Sequence, residues 1–164
     1  MDTLRPILLV EDSPNDRELI VAALAELRLA NEIVTLRDGA EALDYLYCSG
    51  AFEGRADELP TVVMLDIKMP KVDGIEVLRR IRSNPRTAMQ PVVMLTSSRE
   101  DRDVIESYRL GVNAFVTKPV SFPDFVDAVK HLGLFWAVLN EPPPPPHTHT
   151  GQGKHALPVP VRRS

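Results

Sequence analysis

The sequence has few of the features that secreted and membrane proteins share. Its single cysteine, Cys48, excludes an internal disulfide and is typical of proteins kept in a reducing cytosol. No apolar run approaches the roughly 20 residues that a membrane-spanning helix needs. The first six residues leave no room for a signal peptide before a strand-like run begins. We therefore expect a cytoplasmic protein that does not bind a membrane.

An excess of positive charge is missing as well. The net charge of −4 argues against a basic binding surface, so we expect no nucleic-acid partner. Residues 1–140 hold 22 acidic and 16 basic side chains, whereas residues 141–164 hold one acidic and three basic side chains and 7 of the 15 prolines. We expect one globular domain over residues 1–140 and a flexible, proline-rich tail over residues 141–164, with polyproline II helix at residues 142–146.

Five short apolar runs alternate with stretches whose apolar residues recur at helical spacing. Such wholly apolar runs are typical of parallel strands that are buried on both faces. The predicted strands are residues 7–10, 33–36, 62–65, 92–95 and 114–116. We expect an α/β fold with a five-stranded parallel sheet, doubly wound, and five helices. Binding sites in such folds lie at the carboxyl ends of the strands.

Each predicted helix follows a polar residue whose side chain is able to cap it. A serine or aspartate at this position accepts a hydrogen bond from a free amide in the first turn. The predicted caps are Ser13, Asp38, Asp73, Ser98 and Ser121.

Three carboxylates follow two of the predicted strands. Glu11 and Asp12 come after the first strand, and Asp66 comes after the third. Their mutual repulsion would raise at least one carboxyl pKa unless a cation is bound. Mg²⁺ prefers such oxygen ligands, and Mn²⁺ is an acceptable substitute. We predict that Asp12 and Asp66 bind the metal directly, that Glu11 binds through water, and that the backbone carbonyl of Lys68 completes the protein ligands.

The other strand ends suit a phosphoryl group. Lys118, after the fifth strand, offers a point charge for one phosphoryl oxygen. Thr96, at the end of the fourth strand, offers a hydroxyl donor for another. Asp66 is the predicted nucleophile, which would form an aspartyl phosphate.

These motifs, in their order and spacing, resemble the receiver domain of two-component response regulators. The resemblance covers residues 5–139, with 30 residues from Asp66 to Thr96 and 22 more to Lys118. It implies a flavodoxin-like strand order of 2-1-3-4-5 and a histidine kinase as phosphate donor. It also implies a cis peptide bond between Lys118 and Pro119 and a switch made of Thr96 and Phe115. Finally, it implies that Lys68 and Ser98 tune hydrolysis, and we expect Lys68 to shield the phosphoryl group from water.

Two extensions resemble the single-domain response regulators that partner phytochromes. One is the long polar connection at residues 48–60, and the other is the pair Phe135 and Trp136 at the end of the fifth helix. The resemblance implies a sensor histidine kinase of the phytochrome type and a homodimer built on helix 4, strand 5 and helix 5. Exposed aromatic residues are enriched at interfaces, so we assign Phe135 and Trp136 to that interface.

Other functions fit the sequence less well. A phosphatase of the haloacid dehalogenase type needs a second carboxylate two residues after the nucleophile, where Lys68 stands. A nucleotide-binding module needs a glycine-rich loop after the first strand, which is absent. We therefore predict a signalling protein that catalyses its own phosphorylation and dephosphorylation, without DNA-binding or enzymatic output. A phosphate relay or sink, and a non-phosphorylated adaptor, remain open alternatives.

Overall fold

Strands and helices alternate strictly along the chain in the computed structural model, which describes residues 4–144. The strands are β1 (Ile7–Val10), β2 (Ile33–Leu36), β3 (Val62–Leu65), β4 (Val92–Thr96) and β5 (Ala114–Thr117). The helices are α1 (Pro14–Glu26), α2 (Gly39–Leu46), α3 (Gly74–Ser83), α4 (Asp101–Arg109) and α5 (Phe122–Leu134). A short 3₁₀ turn at Gly50–Phe52 and a π-helical turn at Phe135–Leu139 complete the elements.

All five strands are parallel and lie in the order β2-β1-β3-β4-β5. The predicted fold class and strand order are therefore confirmed. Val10 of β1 pairs with Leu65 of β3, and Thr96 of β4 pairs with Thr117 of β5. The residues that follow these strands leave the sheet at one common edge.

The alternation of side chains along the central strands divides the core into two layers. One layer packs the sheet against α2 and α3, and the other packs it against α1 and α5. Leu8 and Val10 face the first layer, whereas Ile7 and Leu9 face the second. Both faces of β1, β3 and β4 are buried, which explains their unbroken apolar sequences.

Three of the five predicted helix caps form as expected. The side chains of Ser13, Asp38 and Asp73 accept hydrogen bonds from the third residue after each. Ser121 precedes α5 without making such a bond. The prediction for Ser98 is wrong, because Glu100 occupies the position before α4 and the Ser98 hydroxyl donates to the Asp103 carboxylate instead.

The long connection before β3 is folded back onto α2. The Arg55 guanidinium lies 3.9 Å from the centre of the Tyr45 ring. Its Nε and Nη2 atoms also donate to the Tyr45 carbonyl, at 3.2 and 2.7 Å. One arginine thus fixes the loop by stacking and by hydrogen bonds together.

The end of α5 separates the two aromatic residues. Trp136 is buried in the layer beneath α1 and α5, whereas Phe135 is 47% exposed. Their rings meet edge to face, with centroids 5.1 Å apart. Trp136 is therefore a core residue, and only Phe135 of the pair presents a large apolar surface to solvent.

The described part of the chain ends at residue 144, so most of the predicted tail, including the end of the 142–146 proline run, lies outside it. Among the helices within residues 4–144, none has both the length and the apolar character to cross a membrane.

Candidate metal and phosphoryl site

Three carboxylates meet at the carboxyl edge of the sheet. Oxygen atoms of Glu11, Asp12 and Asp66 lie within 4.8 Å of one another. Pairing of β1 with β3 brings them together, since Val10 and Leu65 are direct neighbours. Glu11 and Asp66 are buried, while Asp12 is open to solvent. The predicted cluster is thus present, with one side accessible from solution.

Lys118 lies over this cluster and is almost completely buried. Its Nζ donates to Glu11 Oε2 at 2.6 Å and to Asp16 Oδ2 at 2.8 Å. A third and longer contact, of 3.4 Å, reaches Asp66 Oδ2. The lysine was predicted at this place, but Asp16 was not. The available signal was its position on α1 about one turn beyond Asp12, which places it near the same edge.

The charges of the site do not balance. Burial raises the pKa of Glu11 to about 7, although the hydrogen bond from Lys118 opposes this, and the nearby charge of Asp66 raises it further. Burial would lower the pKa of Lys118, but hydrogen bonds to Asp16 and Glu11 outweigh it and hold that pKa above its usual value. Four carboxylates against one ammonium group, with oxygen donors converging, suit a hard divalent cation.

Close packing of the backbone positions Asp66. Its Oδ1 accepts a hydrogen bond of 2.7 Å from the amide of Ile67. The first residue of α3, Gly74, lies so near that a Cβ atom there would be 2.1 Å from the Asp66 carbonyl oxygen. Only glycine allows α3 to begin this close to Asp66.

Thr96 and Phe115 lie on the neighbouring strands β4 and β5. Thr96 is fully buried, and its Oγ1 accepts a hydrogen bond of 3.2 Å from the Ser98 amide. Phe115 pairs with Met94 and packs partly buried against the layer beneath α2 and α3. Their places fit the predicted switch, whose operation stays a prediction.

The side chain of Lys68 lies against α4, and its expected contact with a phosphoryl group stays a prediction. Its Nζ is 3.5 Å from Asp103 Oδ2 and 3.8 Å from Glu100 Oε1, both at the start of α4. The expected role of its backbone carbonyl as a metal ligand stays a prediction. The implied cis bond is wrong for this structure: the bond between Lys118 and Pro119 is trans, the isomer favoured by about 0.5–1 kcal/mol.

Comparison with known proteins agrees with this geometry. The family model of the response regulator receiver domain matches residues 7–130. The chain is 42% identical over 137 residues to the probable methanogenesis regulatory protein FilR2 of Methanothrix harundinacea, covering 84% of this chain and 86% of FilR2. It is 40% identical over 130 residues to response regulator Rcp1 of Synechocystis sp., covering 79% of this chain and 87% of Rcp1.

Solved structures extend the likeness to the whole fold. The manganese-bound form of Rcp1 has a TM-score of 0.80 and 38% identity, covering 85% of this chain and 99% of that chain. The bacteriophytochrome response regulator RtBRR has a TM-score of 0.69 and 57% identity, covering 86% of this chain and 85% of that chain. These similarities confirm the resemblance to phytochrome-associated response regulators. The chain belongs to the response regulator receiver family.

Proposed function

We propose that Asp66 accepts a phosphoryl group from the phosphohistidine of a sensor histidine kinase, and that the resulting change of surface carries the signal. The observation that supports this most is the grouping of the buried Asp66 carboxylate with Glu11, Asp12 and the Lys118 ammonium group. A structural ion pair would need one carboxylate for one cation. The surplus of negative charge suits metal-assisted phosphoryl transfer instead.

In the transfer, a carboxylate oxygen of Asp66 attacks phosphorus, and the bond from phosphorus to the histidine nitrogen breaks with its electron pair leaving on the imidazole. Mg²⁺ or Mn²⁺, held by Asp12, Asp66, Glu11 through water, and the Lys68 carbonyl, would offset charge on the phosphoryl oxygens. Lys118 exchanges carboxylate partners for one phosphoryl oxygen, and Thr96 donates its hydroxyl to another. Water later attacks phosphorus and releases phosphate, which restores the free carboxylate.

A switch through Thr96 and Phe115 would carry the change outward. The register of β4 on β5 places Met94 beside Phe115 and Thr96 beside Thr117, so a shift of Thr96 acts on the strand that bears Phe115. Phe115 is only partly buried, which leaves room for a second rotamer at the surface. Phosphorylation is thereby linked to the face formed by α4, β5 and α5.

That face is suited to a homodimer. β5 is an edge strand whose residues are all partly exposed, and an apolar groove runs between it and α5. Large apolar side chains are exposed on the elements around it: Ile105, Tyr108, Val120, Phe122 and Phe135. Such a patch on a surface supports an interface between copies of the chain.

The kinase partner is proposed to be of the phytochrome type. The 57% identity to a bacteriophytochrome response regulator supports this choice. The 42% identity to a methanogenesis regulatory protein shows that similarity at that level also occurs outside light sensing. We further place the receiver at residues 1–140, in the cytoplasm, with the tail as an appendage.

The first test combines intact mass with sedimentation. The full chain and its Asp66→Asn variant are incubated with Mg²⁺ and acetyl phosphate, and then with a phosphorylated phytochrome kinase. We expect one added phosphate on the wild type, none on the variant, and a change in sedimentation that follows the phosphate. Phosphate uptake without a change in sedimentation would favour a relay, a phosphate sink or a constitutive dimer. Failure of the wild type to accept phosphate from either donor would replace the proposal by the adaptor alternative.

A further inference from the structure

A nearly buried carboxylate on α4 joins the two loops that follow Asp66 and Thr96. Asp103 lies in the first turn of α4, and its residue is 9% exposed. The Ser98 hydroxyl donates to Asp103 Oδ2 at 2.5 Å, and Lys68 Nζ lies 3.5 Å from the same oxygen. One oxygen atom thus holds a partner from the β3–α3 loop and another from the β4–α4 loop.

Both partners are close in sequence to the reacting groups. Lys68 is two residues after Asp66, and Ser98 is two residues after Thr96. The Ser98 amide also donates to the Thr96 hydroxyl oxygen, at 3.2 Å. Asp103 is therefore connected to both sides of the site, although in the described contacts it touches none of the carboxylates predicted to bind the metal and does not touch Lys118.

Lys68 and Asp103 differ in how firmly they are held. The Lys68 side chain is 54% exposed, and its two pairs with α4, to Asp103 and to Glu100, are long. Asp103 is fixed by burial and by Ser98, and its helix turn is secured by the Ser107 hydroxyl, which donates to the Asp103 carbonyl. When a competing anion appears, Lys68 is the partner that moves.

A phosphoryl group on Asp66 would be such an anion, since it carries about two negative charges where the free carboxylate carries one. We propose that Asp103 is a positioning residue that holds Lys68 on α4 and thereby limits how often Lys68 covers the phosphoryl group. Hydrolysis needs water at phosphorus, where the bond to the Asp66 oxygen breaks and phosphate leaves. The Asp103 carboxylate therefore sets the lifetime of the phosphorylated form through the position of Lys68, an inference that rests on the proposed function.

The test is a double-mutant cycle on the lifetime of the phosphorylated full chain. Wild type, Asp103→Asn, Lys68→Met and the double variant are phosphorylated with acetyl phosphate and Mg²⁺ and freed of donor. Loss of the added phosphate is then followed by intact mass. Asparagine keeps an oxygen for the Ser98 hydroxyl and removes only the charge. Asp103→Ser is made alongside, so that the result does not depend on the folding of one variant.

We expect Asp103→Asn to lengthen the lifetime about two- to five-fold. The effect is modest because the Lys68 side chain is half exposed, so its ion pair with Asp103 competes only weakly with the phosphoryl group for Lys68. Lys68→Met should shorten the lifetime, and the double variant should match Lys68→Met alone. Glu100→Gln, which removes the longer and more exposed pair, should have a smaller effect than Asp103→Asn.

Two results would overturn the inference while leaving the proposed function intact. One is a lifetime that Asp103→Asn leaves unchanged or shortens. The other is an effect of Asp103→Asn that persists at full size in the Lys68→Met background, because Asp103 would then act through the helix alone. A wild type that accepts no phosphate would remove the proposed function, and the inference with it.

Discussion

Lys118 is shared among three carboxylates, and Asp16 is the one of them that lies outside the predicted set of metal ligands. It is also the most exposed of the three, with 35% of its side chain accessible. Its charge therefore adds to the negative potential of the site without the cost of burial that Glu11 and Asp66 carry. Asp16 can be neutralised while every predicted ligand stays in place.

We expect Asp16→Asn to weaken Mg²⁺ binding by about two- to five-fold at low salt, as suits the loss of one partly screened charge. Titration calorimetry of the unphosphorylated chain measures this directly. Glu18→Gln is the matched control, since it removes the same charge from an exposed position on the same helix. Equal weakening by both variants would show that only the net charge of the chain matters.

The residues of the site were predictable where they follow a strand. Glu11, Asp12, Asp66 and Lys118 stand directly after apolar runs, and parallel strands bring their carboxyl ends together. The carboxylates in the first turns of α1 and α4, Asp16 and Asp103, were not predictable as partners of these groups. Acids are common there because they favour the helix dipole, so their presence alone does not indicate a contact.

The start of α3 depends on one close backbone contact. A methyl group on Gly74 would collide with the Asp66 carbonyl oxygen. We expect Gly74→Ala to lower the free energy of unfolding by about 2–3 kcal/mol, measured by urea denaturation, because backbone atoms cannot move aside cheaply. Phosphate uptake should fall as well, since the same contact positions Asp66.

Gly54→Ala is the comparison for this prediction. Gly54 has a φ of +82°, and a methyl group there would meet no atom within 4 Å apart from its chain neighbours. Alanine at this position therefore costs only the backbone strain of about 1 kcal/mol. A loss at Gly74 no larger than the loss at Gly54 would contradict the steric explanation.

The start of α2 contributes stability that depends on pH. Burial would raise the pKa of Asp38, but hydrogen bonds from the Glu41 amide and from Lys71 outweigh it and hold that pKa below its usual 3.8. A folded-state pKa below the unfolded one gives stability that is present above the unfolded pKa. This stability is lost as the pH falls through the folded value.

Asp38→Asn keeps a capping oxygen and removes the charge. We expect this variant to be less stable than the wild type by about 0.5–1 kcal/mol at pH 7, and the difference to shrink as the pH falls below about 4. Urea unfolding at several pH values measures this difference. Lys71→Met should flatten the same pH dependence in part, and a difference that is constant from pH 7 to pH 3 would contradict the assignment.

Element starts were less predictable than element types. The apolar runs predicted all five strands, because burial on both faces leaves a strong signal. The start of α4 was misplaced, because Ser98 is a good cap in sequence but is drawn to the Asp103 carboxylate by tertiary contact. The local sequence does not show whether such a serine side chain caps a helix or donates its hydroxyl to a carboxylate.

At the scale of the whole molecule, the end of α5 covers part of the hydrophobic core. Trp136 completes the layer beneath α1 and α5, and Phe135 faces outward beside the groove along β5. The sequence indicates that the two adjacent aromatic side chains point in different directions. Which of the two rings is buried depends on the π-helical turn at Phe135–Leu139. That turn has no signature in a single sequence.

We expect Trp136→Ala to lower the free energy of unfolding by about 3–5 kcal/mol, as for other buried aromatic residues. Phe135→Ala should cost no more than about 1.5 kcal/mol, mainly from the lost edge-to-face contact. Urea denaturation separates the two. In sedimentation, Phe135→Ala should weaken self-association, and Phe122→Ala, at the exposed start of α5, should do likewise. A Phe135 variant that unfolds as readily as the Trp136 variant would contradict this division.

The reach of Lys118 across the sheet also determines when the site around Asp66 is completed during synthesis. The ammonium group that pairs with Glu11 lies 107 positions later in sequence, and the two intervening strands of the sheet, β3 and β4, are made between them. Contacts of such long range form late in folding. A nascent chain therefore contains Glu11, Asp12 and Asp66 before it contains Lys118, whose ammonium group completes the site. The surroundings of Asp66 are complete only once the last strand, β5, has docked and Lys118 is in place.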